Sequence, residues 1–111
     1  MSSKYLYLPY KAQTITNKQL EFNFRLDPNT VSPTTINEIV SLLLKKISSD
    51  IEIFKPSNGD IIQALCMVLV IRAKMIDYNF ETIEKIVNKT LKNTFNDGKK
   101  AQIKEPPSGK S

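Results

Sequence analysis

Ten of the eleven residues from Ile61 to Ile71 are apolar, and no other stretch limits so strictly what this chain can become. The run is too short for a membrane span, which needs about 20 residues, so it reads as a buried helix. Ser57 or Asn58 can cap its start, and Asp60 stands in the first turn near the positive end of the helix dipole. The helix extends to about Ile76 and is apolar around most of its circumference until Arg72 and Lys74. A chain of 111 residues with two further helices and one clear strand leaves part of that surface wet unless a second molecule covers it, which predicts a homodimer.

The preceding helix is marked by Ser32 as N-cap and Pro33 at the first helical position, with Val31 placed to staple against Ile36. Ile36, Ile39, Val40, Leu43, Leu44 and Ile47 keep the three-four spacing of one buried face. Ser48-Ser49-Asp50 reads as its end, and Ile51-Glu52-Ile53-Phe54 alternates as a short strand or an ordered loop before Pro56. A third helix follows Asn79, with Ile83, Ile86, Val87 and Leu91 on one face and Lys85, Lys89 and Lys92 as a solvated stripe on the other. Asn96-Asp97-Gly98 reads as a helix stop. Beyond it, Lys99 to Ser111 carries four lysines, Pro-Pro and Gly but only Ala101 and Ile103 as apolar residues, the composition of a disordered tail.

The formal charge of +5 resides in the two ends: Lys4, Lys11 and Lys18 supply +3, the tail another +3, and residues 21–98 hold nine basic and ten acidic side chains. That balance favours weak attachment of the ends to a polyanion over a strongly basic folded surface. The chain has no His, and the lone Cys66 forms no internal disulfide; within the apolar run it reads as a small buried hydrophobe. Cytosol is the simplest compartment, since the start around Ser2-Ser3-Lys4-Tyr5 lacks an apolar signal core. No nucleophile-base pair, metal-ligand cluster or cofactor motif stands out, so the expected protein is not an enzyme and carries neither metal nor cofactor. Ser108-Gly109-Lys110-Ser111 mimics the close of a phosphate loop, but Lys104 stands where its first glycine belongs and no helix follows.

The clearest strand is Leu20 to Leu26, where Leu20, Phe22, Phe24 and Leu26 alternate with Glu21, Asn23 and Arg25. One strand alone is unstable. Paired with its mate from a second chain, it would make a ribbon that buries the apolar side chains on helices and offers the polar ones to base edges. Asn suits adenine, Arg suits guanine, and Glu can accept from cytosine. Glu21-Phe22-Asn23-Phe24-Arg25-Leu26 resembles the base-reading strand of the Arc/MetJ-type ribbon-helix-helix repressors, and Asn58-Gly59-Asp60-Ile61 is similar to the start of their second helix. The resemblance spans about residues 19 to 76. It implies base reading by Glu21, Asn23 and Arg25, and phosphate binding by Ser57, Asn58 and Gly59 at the helix start, with Lys18 beside the strand. The chain departs from the family in the connection from Ser48 to Pro56, longer than the usual tight turn, and in the acidic Glu21.

The expected fold is mainly α with a short β element: a ribbon-helix-helix-like dimer with an additional C-terminal helix, the alternative being a small monomeric α+β domain. Residues 1–19 form a partly extended arm in which Pro9 stops Tyr5-Leu6-Tyr7-Leu8 and Asn17-Lys18 can turn the chain; residues 20–96 form one folded domain and 97–111 the basic tail. The expected function is a cytoplasmic, sequence-specific DNA-binding regulator whose partners are a second copy and duplex DNA, with another protein as a further candidate and no membrane. The alternative is a non-enzymatic α+β adaptor that binds a protein partner. Pairing of strand 20–26 with residues 5–16 of its own chain favours the adaptor.

Overall fold

Asn17 takes a left-handed conformation with φ of 66°, which Asn tolerates better than most residues, and the chain reverses there. Thr14 N–H donates to the Lys18 carbonyl and Asn17 N–H to the Thr14 carbonyl, both at 2.9 Å, and Lys18 N–H reaches the Thr14 hydroxyl at 3.1 Å. The reversal joins two antiparallel strands, β1 (Tyr7–Gln13) and β2 (Gln19–Arg25), with Tyr10 opposite Phe22. The computed structural model describes residues 6–105. The other elements are α1 (Pro33–Phe54), α2 (Asn58–Lys74), α3 (Phe80–Lys99) and β3 (Gln102–Lys104). The protein is thus mainly helical with a small three-stranded antiparallel sheet in the order β1-β2-β3.

That order corrects the expected pairing of Leu20–Leu26 with a second chain, because β2 is the central strand. Leu26 N–H donates to the Leu6 carbonyl at 2.8 Å, so the even-numbered residues of β2 bond to β1 and the odd-numbered N–H groups face the opposite edge. There β3 pairs with Gln19–Glu21, and the Asp97 carboxylate accepts from Arg25 N–H at 2.8 Å. Pro9 does not stop the first strand. By the same alternation it stands on the outer edge of β1, where its missing N–H removes no ladder bond and blunts the edge against further pairing. Leu8, Tyr10, Ala12, Leu20, Phe22 and Phe24 are partly covered on one face, and the Phe22 and Phe24 rings stack at 5.1 Å between centroids.

The expected stop at Asn96-Asp97-Gly98 and the expected tail from 97 are also corrected. α3 continues to Lys99, and β3 then returns along β2, so residues 97–105 belong to the fold; residues 106–111 and Tyr5 lie outside the described ones. Asn, Asp and Gly weaken a helix only by fractions of a kcal/mol to about 1 kcal/mol each, and the capping of β2 by Asp97 acts against that. A Cβ at Gly98 meets nothing within 4 Å, and Gly98 has no positive φ. Gly98→Ala is therefore expected to raise stability by about 0.5–1 kcal/mol, read as a higher urea midpoint at unchanged slope.

The Ser32 hydroxyl accepts from Thr35 N–H at 3.2 Å and caps α1 as expected, but Val31 is 95% exposed and does not staple. α1 runs past Ser48-Ser49-Asp50. Its apolar stripe continues at helical spacing from Ile47 to Ile51 and Phe54, and Lys46 pairs with Asp50 at 3.1 Å across one turn. Lys55, with φ of 49°, ends the helix before Pro56. The connection to α2 is consequently short, Lys55 to Ser57, which removes the long connection expected between them. Ser57 and Asp60 form a capping box: the Ser57 hydroxyl accepts from Asp60 N–H at 3.0 Å, and the Asp60 carboxylate accepts from Ser57 N–H at 3.1 Å. Asn79 caps α3 by accepting from Thr82 N–H at 2.9 Å.

The chain groups into two compact units: Met1–Asn37 with Thr90–Ser111, and Glu38–Lys89. The first contains the sheet, the second α2 and most of α1. Among the described residues only Ala73 and Ile83 are buried, both in the second unit. The buried helix expected over Ile61–Ile71 is corrected: Ile61 is partly covered, and residues 62–72, Cys66 included, are exposed.

Candidate binding surfaces

Glu21, Asn23 and Arg25 share the face of β2 opposite the phenylalanines, and all three line one polar pocket of about 520 Å³. Beyond the strand, Tyr7, Gln102 and the end of α3 complete it, through Asn93, Asn96, Asp97 and Lys100. The pocket occupies the stretch of the β2 edge that β3 leaves open between Glu21 and the Asp97 cap at Arg25. Glu21 is engaged by Lys104 at 3.4 Å, so the acidic member of the expected base-reading set is neutralised within the sheet. Asn23 and Arg25 are exposed. The α3 contributors were not legible as site residues, because the sequence reading ended α3 at Asn96 and left Lys100 and Gln102 in a tail.

The expected phosphate-binding residues are divided between the two units. Ser57, Asn58 and Gly59 lie in the helical unit, and Lys18 lies in the sheet unit, where it approaches Glu105 at 3.9 Å. Ser57 spends both its hydroxyl and its N–H on the capping box, and the Asp60 carboxylate sits at the helix start, where it repels an incoming phosphate. A Cβ on Gly59 would make only an ordinary contact of 3.7 Å with the Ser57 hydroxyl, so no close backbone approach requires glycine there. Lys85, Lys89 and Lys92 are all exposed along α3.

The helical unit carries an apolar groove of about 450 Å³ between α1 and α2. Leu43, Ile47, Ile51 and Phe54 form the α1 wall; Ile61, Ala64, Leu65 and Val68 form the α2 wall. The Lys46–Asp50 pair and Asp60 are the charged groups at its border. The continued three-four spacing through Ile51 and Phe54 was the signal for the α1 wall, masked by the serines between. Seventeen large apolar residues of this unit, from Ile39 to Ile86, are exposed. A soluble chain rarely leaves a contiguous apolar patch of more than a few hundred Å² in water without a partner for it.

Among the described residues no helix is long and apolar enough to cross a membrane, and no group of three or more His, Cys, Asp or Glu side chains is placed to hold a metal ion. Comparison with protein-family models, with curated proteins and with solved structures gave no match.

Proposed function

We propose that the chain is a non-enzymatic α+β interaction module that takes an apolar helix of a protein partner into the groove between α1 and α2. The observation that carries this reading is the exposure of α2 over residues 62–72, a run that is apolar around most of its circumference, with Gln63 and Arg72 its polar members. A helix of that composition belongs in an interior, and α1 supplies only one neighbour to it. The groove wall from Leu43 to Phe54 spans about three helical turns, the length over which an amphipathic helix docks with anchors at every third or fourth residue. The pairing of β2 with β1 along its length and with β3 at Gln19–Glu21 supports the adaptor over the regulator, since a two-chain ribbon through β2 needs an edge that its own chain already fills in part. Asn23 and Arg25 on the exposed sheet face keep duplex DNA as the competing reading.

Two measurements separate them. A photoreactive side chain at Ile47 is expected to cross-link a partner protein, and Leu43→Asp to abolish the product; the same probe at Asn23 is expected to give none. A randomised duplex pool is expected to yield no enriched sequence. If it instead yields a salt-dependent site whose selectivity Arg25→Ala removes, by roughly 1–3 kcal/mol per base contact, the module is a DNA reader and the adaptor reading falls.

A further inference from the structure

We propose that a second copy of this chain docks antiparallel on α2, along the seam Asp60, Ala64, Met67, Ile71 and Lys74. The seam shares Asp60 and Ala64 with the rim of the α1–α2 groove, while Met67, Ile71 and Lys74 lie off it. The five positions follow one another at spacings of four, three, four and three, the repeat that keeps one stripe of a helix against a neighbouring helix. All five are exposed, Met67 at 53% and Ile71 at 54%.

The seam matches itself when reversed. With a two-fold axis at Met67, Asp60 of each copy meets Lys74 of the other, the small Ala64 meets the large Ile71, and Met67 meets Met67. The acidic end of α2 holds Asp60 and the basic end Arg72 and Lys74, so antiparallel docking also opposes the two helix dipoles favourably. In a parallel arrangement like charges would meet at both ends. The unit Glu38–Lys89 carries seven acidic and seven basic side chains, so bringing two copies together builds up no net charge. α2 alone is about 25 Å long. A standard interface needs about 800 Å² from each partner, and the exposed Val68 and Val70 flank the seam and widen it.

The test uses the full chain with Cys66→Ser, which leaves no native thiol. Met67→Cys on this background is expected to form a disulfide-linked dimer under mild oxidation, because the two copies of residue 67 face each other across the axis. Ile62→Cys, on the opposite side of α2, is expected to stay monomeric on denaturing gels. Both substitutions keep the site small and apolar. In sedimentation, Lys74→Glu is expected to weaken self-association about tenfold, since two attractive pairs become two repulsive ones. Adding Asp60→Asn is expected to recover about threefold of it, because Asn removes the repulsion without restoring the attraction and still caps Ser57. A compact monomer at 100 µM by sedimentation, or a stronger cross-link from Ile62→Cys than from Met67→Cys, overturns the proposal. Neither result bears on cross-linking of a partner from Ile47, so the groove reading stands or falls separately.

Discussion

Deleting residues 101–111 is expected to lower stability by about 2 kcal/mol, a fall of roughly 8–16 °C in the thermal midpoint of a domain this small. β3 pairs Gln19 with Lys104 and Glu21 with Gln102, and these are the positions whose N–H groups face that edge of β2. Each net hydrogen bond contributes about 0.5–1.5 kcal/mol, offset in part by the entropy of ordering a short segment. The Lys104–Glu21 and Lys18–Glu105 pairs are exposed enough that they add little. Losing β3 also uncovers the edge of the central strand, so the truncated protein is expected to aggregate on heating where the full chain does not. A midpoint within 2 °C of the full chain, measured by circular dichroism, would show that β3 contributes nothing.

A truncation at this point reads quite differently from the sequence. Lys99 to Ser111 has the charge, proline and low apolar content of a solvated tail, and only Ile103 hints at a strand. What orders Gln102–Lys104 is non-local: β2 has an edge to fill, and α3 continues through Gly98 to deliver the chain there. Local composition carries no record of that edge. Helix caps were legible because they are written within four residues, as at Ser32, Ser57 with Asp60, and Asn79. The hairpin was half legible, since Asn17 marks the turn but Pro9 read as a break and proved to be an edge residue. The end of α1 was misread because Ser48-Ser49-Asp50 has the composition of a terminus. The spacing from Ile47 to Ile51 and Phe54 carried the correct answer and outweighs three polar residues on the solvent side.

The candidate site divides along the same line. Alternation in β2 placed Glu21, Asn23 and Arg25 on one face, and they are found together there. Their setting beside Asn93, Asn96 and Lys100 depends on the tertiary path of α3 and was invisible. The width of the apolar surface on Ile61–Ile71 was legible from composition alone. Its place in a groove with α1 required knowing that α1 reaches Phe54.

Leu65→Asp is expected to cost more than 3 kcal/mol at micromolar protein concentration. Leu65 is 45% exposed and lines the α1–α2 groove. If water were its true neighbour, a polar substitution there would change stability by no more than about 0.5 kcal/mol. Two facts argue for the larger figure. The helical unit buries only Ala73 and Ile83, and a fully buried Ile contributes about 1.5–3 kcal/mol. Backbone ordering opposes folding by about 1–2 kcal/mol for every residue fixed, so Glu38–Lys89 has too little interior of its own to stay folded in isolation. On the proposed interaction reading another molecule supplies the missing surface, and a carboxylate placed in that contact without a partner costs several kcal/mol. The second copy proposed on α2 makes the unfolding midpoint of the unsubstituted protein rise with its concentration, since whatever binds the folded form alone stabilises it by mass action. Urea titrations at 1 and 100 µM check both statements. A concentration-independent midpoint together with an unchanged stability of Leu65→Asp would show that the purified protein is stable without a second copy on α2, and would leave the groove to a partner of a different kind.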